Sequence, residues 1–393
     1  MEENEVKHIY IIGSKGIPAK YGGFETFVEK LTESNDTENF KFHVACMLEN
    51  SLKSDISEMI FEYNRAECVN FSLPNIGPVR AIYYDLIALN YFIKEAERNR
   101  DVDPVFYILA CRIGPFMNFF YKKIKKIGGK VLVNPDGHEW LRAKWNLPTK
   151  KYWKISERLM IKNADLIICD SRAIDKYIQE EYKIYSPEST YISYGTDIKL
   201  STYKSEDKVV RDWFSEKKIN EGEYYLIVGR FVPENNYEIM ITEFIKSDSS
   251  KNLVIVTNFE KNKFYKELLA KTNFANDERV KFVGTVYDQN LLKYIRENSF
   301  AYIHGHEVGG TNPSLLEALY STKINLLLDV NFNREVGENE ALYWNKKKND
   351  LKKLINDLEK SDQVVKFNSR KNILKKFTWE LIYEEYKDLF LRL

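Results

Sequence analysis

Strand-like apolar runs alternate with helical patterns along nearly the whole chain, and this alternation restricts the fold more than any other feature. A first series comprises Tyr10 to Ile12, Phe42 to Cys46, Val105 to Leu109, Lys130 to Val133 and Leu166 to Cys169. A second comprises Tyr225 to Val228, Leu253 to Val256, Lys281 to Val283, Ala301 to Ile303 and Ile324 to Leu328. Helical-period segments such as Thr26 to Thr32 and Ser314 to Tyr320 lie between them. Strands separated by helices form parallel sheets covered on both faces. The two series predict an α/β chain of two doubly wound domains, and 393 residues suit two cores better than one. Such sheets bind ligands at the carboxyl ends of their strands, so two facing sheets place a cleft between domains. The polar stretch Lys199 to Lys208 reads as linker, giving a first domain of residues 1–198 and a second of 199–377. The run Phe377-Thr378-Trp379-Glu380 then opens an amphipathic helix over 378–393, with Thr378 as its N-cap.

Composition excludes several classes. A net charge of +1 argues against a dedicated nucleic-acid binder. Cys46, Cys68, Cys111 and Cys169 show no C-x-x-C spacing, so neither zinc cluster nor disulfide framework is expected, and a reducing cytosolic compartment fits. Charged residues lead straight into His8 to Ile12 with no signal-peptide pattern, and no apolar stretch approaches the ~20 residues that span a bilayer.

Three loops after strand-like runs carry candidate chemistry. The run His306-Glu307-Val308-Gly309-Gly310-Thr311-Asn312-Pro313-Ser314-Leu315-Leu316-Glu317-Ala318 passes from glycines into a helix. Glycines let backbone N–H groups approach a phosphate, and the helix start adds its positive dipole end. Glu317, about one turn in, can accept hydrogen bonds from a ribose diol. The same run also serves as a plain glycine-rich cap of an αβ unit. The run Gly13 to Thr26 contains Gly22-Gly23 before a helix, but neither a Walker A ending nor a clean G-x-G-x-x-G. Arg230, in Val228-Gly229-Arg230, leaves a strand end where a guanidinium can hold a diphosphate bidentately; paired to a surface carboxylate it would do nothing of the kind.

A further run, Asn134-Pro135-Asp136-Gly137-His138-Glu139-Trp140-Leu141-Arg142-Ala143-Lys144-Trp145, packs Asp136, His138 and Glu139 into one turn beside indoles. Acid/base groups next to aromatic platforms suit sugar chemistry. Metal ligands at suitable spacing are missing. Aromatics and lysines mix over Gly114 to Lys130, notably Phe116, Phe119, Lys122, Lys123, Lys125 and Lys126. That mix describes a helix lying on an anionic membrane, or a core helix with a solvated lysine face.

With these runs in place, the chain resembles a GT-B glycosyltransferase of family 4, the retaining, nucleotide-sugar-dependent type, over nearly its whole length. The fold implied is GT-B, two Rossmann-like doubly wound domains facing a central cleft, with the 378–393 helix returning to the first. Gly13 to Thr26 and Val308 to Glu317 further resemble bacterial β-1,4-rhamnosyltransferases of capsule and cell-wall polysaccharide assembly. That resemblance implies dTDP-L-rhamnose as donor, a polyprenyl-diphosphate-linked glucose or N-acetylglucosamine as acceptor, and no cofactor or metal. Three positions depart from the wider pattern: Gly309 replaces the first Glu of a Glu-x7-Glu pair, Asn235 a lysine, and Asp136 a histidine.

The implied donor site comprises Gly22, Gly23, Arg230, Gly309, Gly310, Thr311, Asn312, Ser314 and Glu317. Arg230 with Asp136 and then Glu139 are the implied catalytic groups; His138, Trp140, Lys122, Lys123, Lys125 and Lys126 face acceptor and membrane. The protein is then expected in the cytoplasm, peripheral on the inner face of the plasma membrane. A UDP- or GDP-sugar transferase, a nucleotide-sugar epimerase, a dehydrogenase and a partner subunit without turnover are the alternatives. Against the dehydrogenase, the second strand-like run leads into Met47-Leu48-Glu49 rather than ending on an acidic residue.

Overall fold

The computed structural model describes residues 6–20, 22–35, 38–142, 144–197, 199–308, 310–360 and 367–393. It divides into two compact units, Met1–Gly195 with Trp379–Leu393, and Thr196–Thr378. The first unit holds β1 (Lys7–Ile12), β2 (Phe40–Met47), β3 (Ile60–Tyr63), β4 (Ala66–Phe71), β5 (Val105–Leu109), β6 (Lys130–Asn134), β7 (Leu166–Cys169) and β8 (Ser189–Tyr191). Their order across the sheet is β3-β4-β2-β1-β5-β6-β7-β8. All neighbours are parallel except β3 and β4, a hairpin turned at Asn64 and Arg65, both at positive φ. Such a two-residue turn matches the twist of paired strands.

The second unit holds β9 (Tyr224–Val228), β10 (Asn252–Val256), β11 (Val280–Gly284), β12 (Ala301–His304), β13 (Asn325–Leu328) and β14 (Leu342–Trp344). The sheet is parallel throughout, in the order β11-β10-β9-β12-β13-β14. The ten expected strand segments are all strands, with Ile324 just outside β13.

Both faces of both sheets are buried, the signature of parallel sheets wound by helices. Along β1, Ile9 and Ile11 enter one core while Tyr10 and Ile12 enter the opposite one. Along β9, Tyr225 and Ile227 face one core and Tyr224 and Leu226 the other. The helix Trp379–Arg392 belongs to the first unit. It places Ile382, Tyr383, Tyr386 and Phe390 in the core shared with Ile9 and Ile11, and Tyr386 shares a 2.9 Å hydroxyl contact with Tyr107.

Candidate active site

In the second unit, β10 and β11 lie to one side of β9 and β12 to β14 to the other. The crevice between the ends of β9 and β12 is thus the topological switch point, where open α/β sheets take their ligands. Arg230 leaves β9 there, exposed, and the loop beginning at Gly305 leaves β12. Side chains knit the two loops. Tyr302 Oη donates to Val228 O at 3.0 Å, and Ser314 Oγ to the same carbonyl at 3.3 Å. Asn236 Nδ2 donates to Gly305 O at 2.7 Å. A Cβ on Gly305 would lie 2.5 Å from Asn235 O, so only glycine allows this approach. Asn235 Nδ2 donates to Arg230 O at 2.6 Å, while its Oδ1 takes His306 Nδ1 at 2.8 Å. The position where the wider pattern has a lysine is therefore a brace between loops.

The helix Pro313–Ser321 starts at this crevice with Asn312 as its N-cap. Asn312 Oδ1 accepts the Ser314 N–H at 2.9 Å, and Pro313 has no N–H. The helix start can therefore offer free N–H groups to a phosphate only before Pro313. Thr311 is buried, and Gly309 lies outside the described residues. Glu317 pairs with Arg296 at 2.6 Å, and Glu307 pairs with Lys346. His304 is buried behind the loop, and desolvation, with His306 nearby, holds its imidazole down to about 3. No motif points to Arg296 or His304 in the sequence; the sheet and helix packing bring them to the loops.

The first sheet turns at β1 and β5. Arg112, just past β5, donates Nη1 to Gly13 O at 2.9 Å and to Asp85 Oδ2 at 3.0 Å. It sits at a switch point and was not among the candidates from sequence. Gly22 has φ +143°, and a Cβ there would lie 1.7 Å from Glu25 Oε2. Glu25 accepts the Lys15 N–H at 2.7 Å, so the chain's own carboxylate lies against the first of the paired glycines. Gly23 has open space where a Cβ would be.

The loop after β6 is a charged hub. Glu139 accepts Trp145 Nε1 at 2.9 Å and Lys144 Nζ at 2.9 Å, and pairs with Arg142. Three donors thus engage Glu139. Asp136 takes a left-handed φ of 60° and has Arg142 3.6 Å away. Burial pushes the Asp136 carboxyl up, Arg142 opposing and Glu139 adding to the shift. Burial lowers the His138 pKa, Glu157 opposing. His138 stands edge-on to Tyr177 at 4.3 Å, and Trp140 lies under Lys154 Nζ at 4.6 Å.

On the helix Gly114–Lys126, Met117, Phe120 and Ile124 are core residues, while Phe116 and Phe119 are exposed. Lys122, Lys125 and Lys126 are exposed; Lys125 reaches Asp165 at 3.0 Å and Lys123 Nζ covers the Phe119 ring at 4.4 Å. One face of this helix is therefore core, and the opposite face carries exposed aromatics and lysines. Among the described residues no helix is long and apolar enough to cross a membrane, and no group of His, Cys, Asp and Glu side chains could hold a metal ion.

Comparison with known proteins follows the same division of the chain. Residues 6–197 match a family described as a domain of unknown function, DUF1972. Curated protein sequences give no match. Among solved structures, HepE of Anabaena in complex with UDP is 15% identical, aligned over 99% of this chain and 100% of its own, with a TM-score of 0.71. Sucrose-phosphate synthase of Thermosynechococcus elongatus is 16% identical over 98% of each chain, with a TM-score of 0.73. A glycosyltransferase from Rickettsia africae is 13% identical over 98% of each chain, with a TM-score of 0.72. These likenesses show the fold, GT-B. Residues 209–376, the part that carries Arg230, Asn312 and Glu317, match the family Glycosyl transferases group 1, so the chain has the GT-B fold and is similar to that family over its second unit.

Proposed function

We propose that the chain is a retaining glycosyltransferase that moves L-rhamnose from dTDP-L-rhamnose onto a polyprenyl-diphosphate-linked glucose or N-acetylglucosamine. The observation that carries the transferase reading is the second sheet's switch point, where Arg230, the loop before Asn312 and Glu317 gather within the part similar to group 1 glycosyltransferases. Rhamnose and the lipid-linked acceptor rest on the resemblance of Gly13 to Thr26 and Val308 to Glu317 to rhamnosyltransferases. A UDP-sugar is the second donor reading, since HepE, of the same fold, was solved with UDP.

In this scheme Glu317 accepts the nucleoside sugar's 3′-hydroxyl, the one hydroxyl that a deoxythymidine diphosphate leaves free. Arg230 and backbone N–H groups before Pro313 stabilise charge growing on the leaving diphosphate, which is electrostatic catalysis in a fixed site. The bond from the anomeric carbon to the diphosphate oxygen breaks, the acceptor oxygen bonds to the same face, retaining configuration, and the acceptor's proton passes to the leaving diphosphate oxygen. Asp136 orients the acceptor hydroxyl, because the three donors around Glu139 leave that carboxylate committed to its own loop. His138 and Trp140 line the acceptor side. Neither a cofactor nor a metal takes part. The exposed face with Phe116, Phe119, Lys122 and Lys126 docks on the anionic inner leaflet, where a lipid-linked acceptor lies.

The test is product formation by mass spectrometry with a short polyprenyl-diphosphate acceptor and dTDP-rhamnose, UDP-glucose or GDP-mannose in parallel. A deoxyhexose increment with dTDP-rhamnose alone is expected. Transfer only from another donor overturns the rhamnose reading. Conversion of a nucleotide sugar without acceptor overturns the transferase reading in favour of an epimerase. The membrane reading fails if anionic liposomes do not retain the protein and neutralising Lys122, Lys123, Lys125 and Lys126 leaves activity on lipid acceptor intact.

A further inference from the structure

We propose that Arg296 is a positioning residue for nucleotide binding, gripping Glu317 by one carboxylate oxygen so that the other is presented to the nucleoside sugar. The inference rests on the reading of the second domain as a nucleotide-sugar site and of Glu317 as its sugar-hydroxyl acceptor. Arg296 lies on the last turn of the helix Gln289–Glu297 and is 3% exposed. Arginines are almost never so buried unless paired. Its Nη2 lies 2.6 Å from Glu317 Oε2 and 3.4 Å from Ser314 Oγ. The guanidinium thus holds two side chains one turn apart on the helix Pro313–Ser321.

The backbone of Arg296 is fixed as well. Its carbonyl accepts Ser299 Oγ at 2.8 Å and Thr322 Oγ1 at 3.3 Å, tying its own helix to the end of the one that carries Glu317. The acceptor is therefore set by a neighbour that is itself immobile. Glu317 is 36% exposed at the side chain, and Oε1 has no partner among the described residues. One oxygen is committed to the protein and the other is left for a ligand. A flexible glutamate would lose rotamer freedom on meeting a ligand hydroxyl; a gripped one has lost it already.

The experiment is calorimetric titration of the full chain with dTDP against 2′,3′-dideoxythymidine diphosphate, and with UDP against its dideoxy analogue. A hydrogen bond to a charged group is worth roughly tenfold or more in affinity, so the wild type should prefer the hydroxyl form of at least one pair by that factor. Glu317→Ala should abolish the preference. Arg296→Met should lose most of it while the dideoxy affinity stays within about twofold of wild type. A merely structural Arg296 would instead weaken both members of a pair equally, and that result overturns the proposal, as does a full preference surviving in Arg296→Met. Should Arg296→Met fail to fold, Arg296→Lys reads the same ratio: its shorter single-point grip must lower the preference, and an unchanged ratio overturns the proposal. A wild type that binds nucleotides without hydroxyl preference sinks the roles of Glu317 and Arg296 and leaves the nucleotide site standing. A wild type that binds none of them sinks the nucleotide reading itself and the proposal with it.

Discussion

Replacing Arg112 by Met tests how the first switch point is held together. Asp85 is fully buried and Arg112 is its charged partner, itself one-fifth exposed at the side chain. Burial pushes the Asp85 carboxyl up even with the guanidinium beside it opposing the shift. Removing one member of a buried pair costs about 3–5 kcal/mol, because the other charge is left without compensation. Here protonation limits that cost and makes it depend on pH. A carboxyl whose folded pKa is raised adds most stability below its unfolded pKa of about 3.9, and that stability is lost as pH rises to the folded pKa. Without Arg112 the folded pKa rises further, so the loss extends into the neutral range. Each pH unit in that window costs about 1.4 kcal/mol, hence up to about 2.7 kcal/mol between pH 5 and pH 7. Two domains need not unfold together, so amide hydrogen exchange of β1 and β5 is the assay, reading the first unit alone. Arg112→Met should lower protection there, more at pH 7 than at pH 5. Asp85→Leu combined with Arg112→Met should remove the pH dependence and restore most of the protection. A cost below about 1 kcal/mol at both pH values would refute the reasoning, since the pair would then carry no uncompensated charge.

Four other substitutions probe the same unit. Gly22→Ala should abolish activity and strain the loop, because φ is +143° and Glu25 occupies the space; Gly23→Ala meets no atom within 4 Å and should fold normally, so a folded but inactive Gly23→Ala would mean that a ligand approaches there. Glu67 is held at about 2, chiefly by its hydrogen bond with His43, so the stability it adds is present above about 4.5 and is lost as pH falls through 2. Glu67→Gln should flatten acid unfolding of the first unit, and an unaltered acid limb in the variant would refute this. Lys154 Nζ lies 4.6, 4.9 and 5.1 Å from the ring centres of Trp140, Tyr177 and Tyr182. Lys154→Met should cost about 1–3 kcal/mol and change the Trp140 fluorescence, whereas unchanged exchange over residues 136–142 would show that the loop does not depend on this cation.

Legibility of the fold followed burial. Nine of the ten legible strands are interior and show in the sequence because both of their faces are covered, which writes them as apolar runs such as Val105 to Leu109; the tenth, β11, is a half-buried edge strand. Four strands were missed: β4 is interior and largely buried, but Glu67 and Asn70 break up its run Ala66 to Phe71, and the other three have less to bury. β3 alternates exposed and half-buried residues, and β8 and β14 are only three residues long at sheet edges. The turn between β3 and β4 is equally quiet, since Arg65 holds a positive φ that glycine would have announced.

The site divides along the same physical line. Residues on loops leaving strand ends, such as Asp136, Arg230 and Asn312, can be picked out because glycine, proline and small polar residues punctuate those loops. The groups that fix those loops cannot, because they are charges placed inside the fold, where hydropathy patterns lead one to expect solvent. Arg112 reaches Gly13 across 99 residues, and Arg296 meets Ser314 across 18. The two sheets nevertheless use the same device. In the first, a guanidinium past β5 ties down the loop after β1 through Gly13 O. In the second, a guanidinium on the helix before β12 holds Ser314, whose hydroxyl bonds the last carbonyl of β9. Each switch point is thus a crevice whose two lips are joined by a shielded arginine. Such a joint keeps backbone groups aimed at a ligand without placing the bracing charge in the ligand's path.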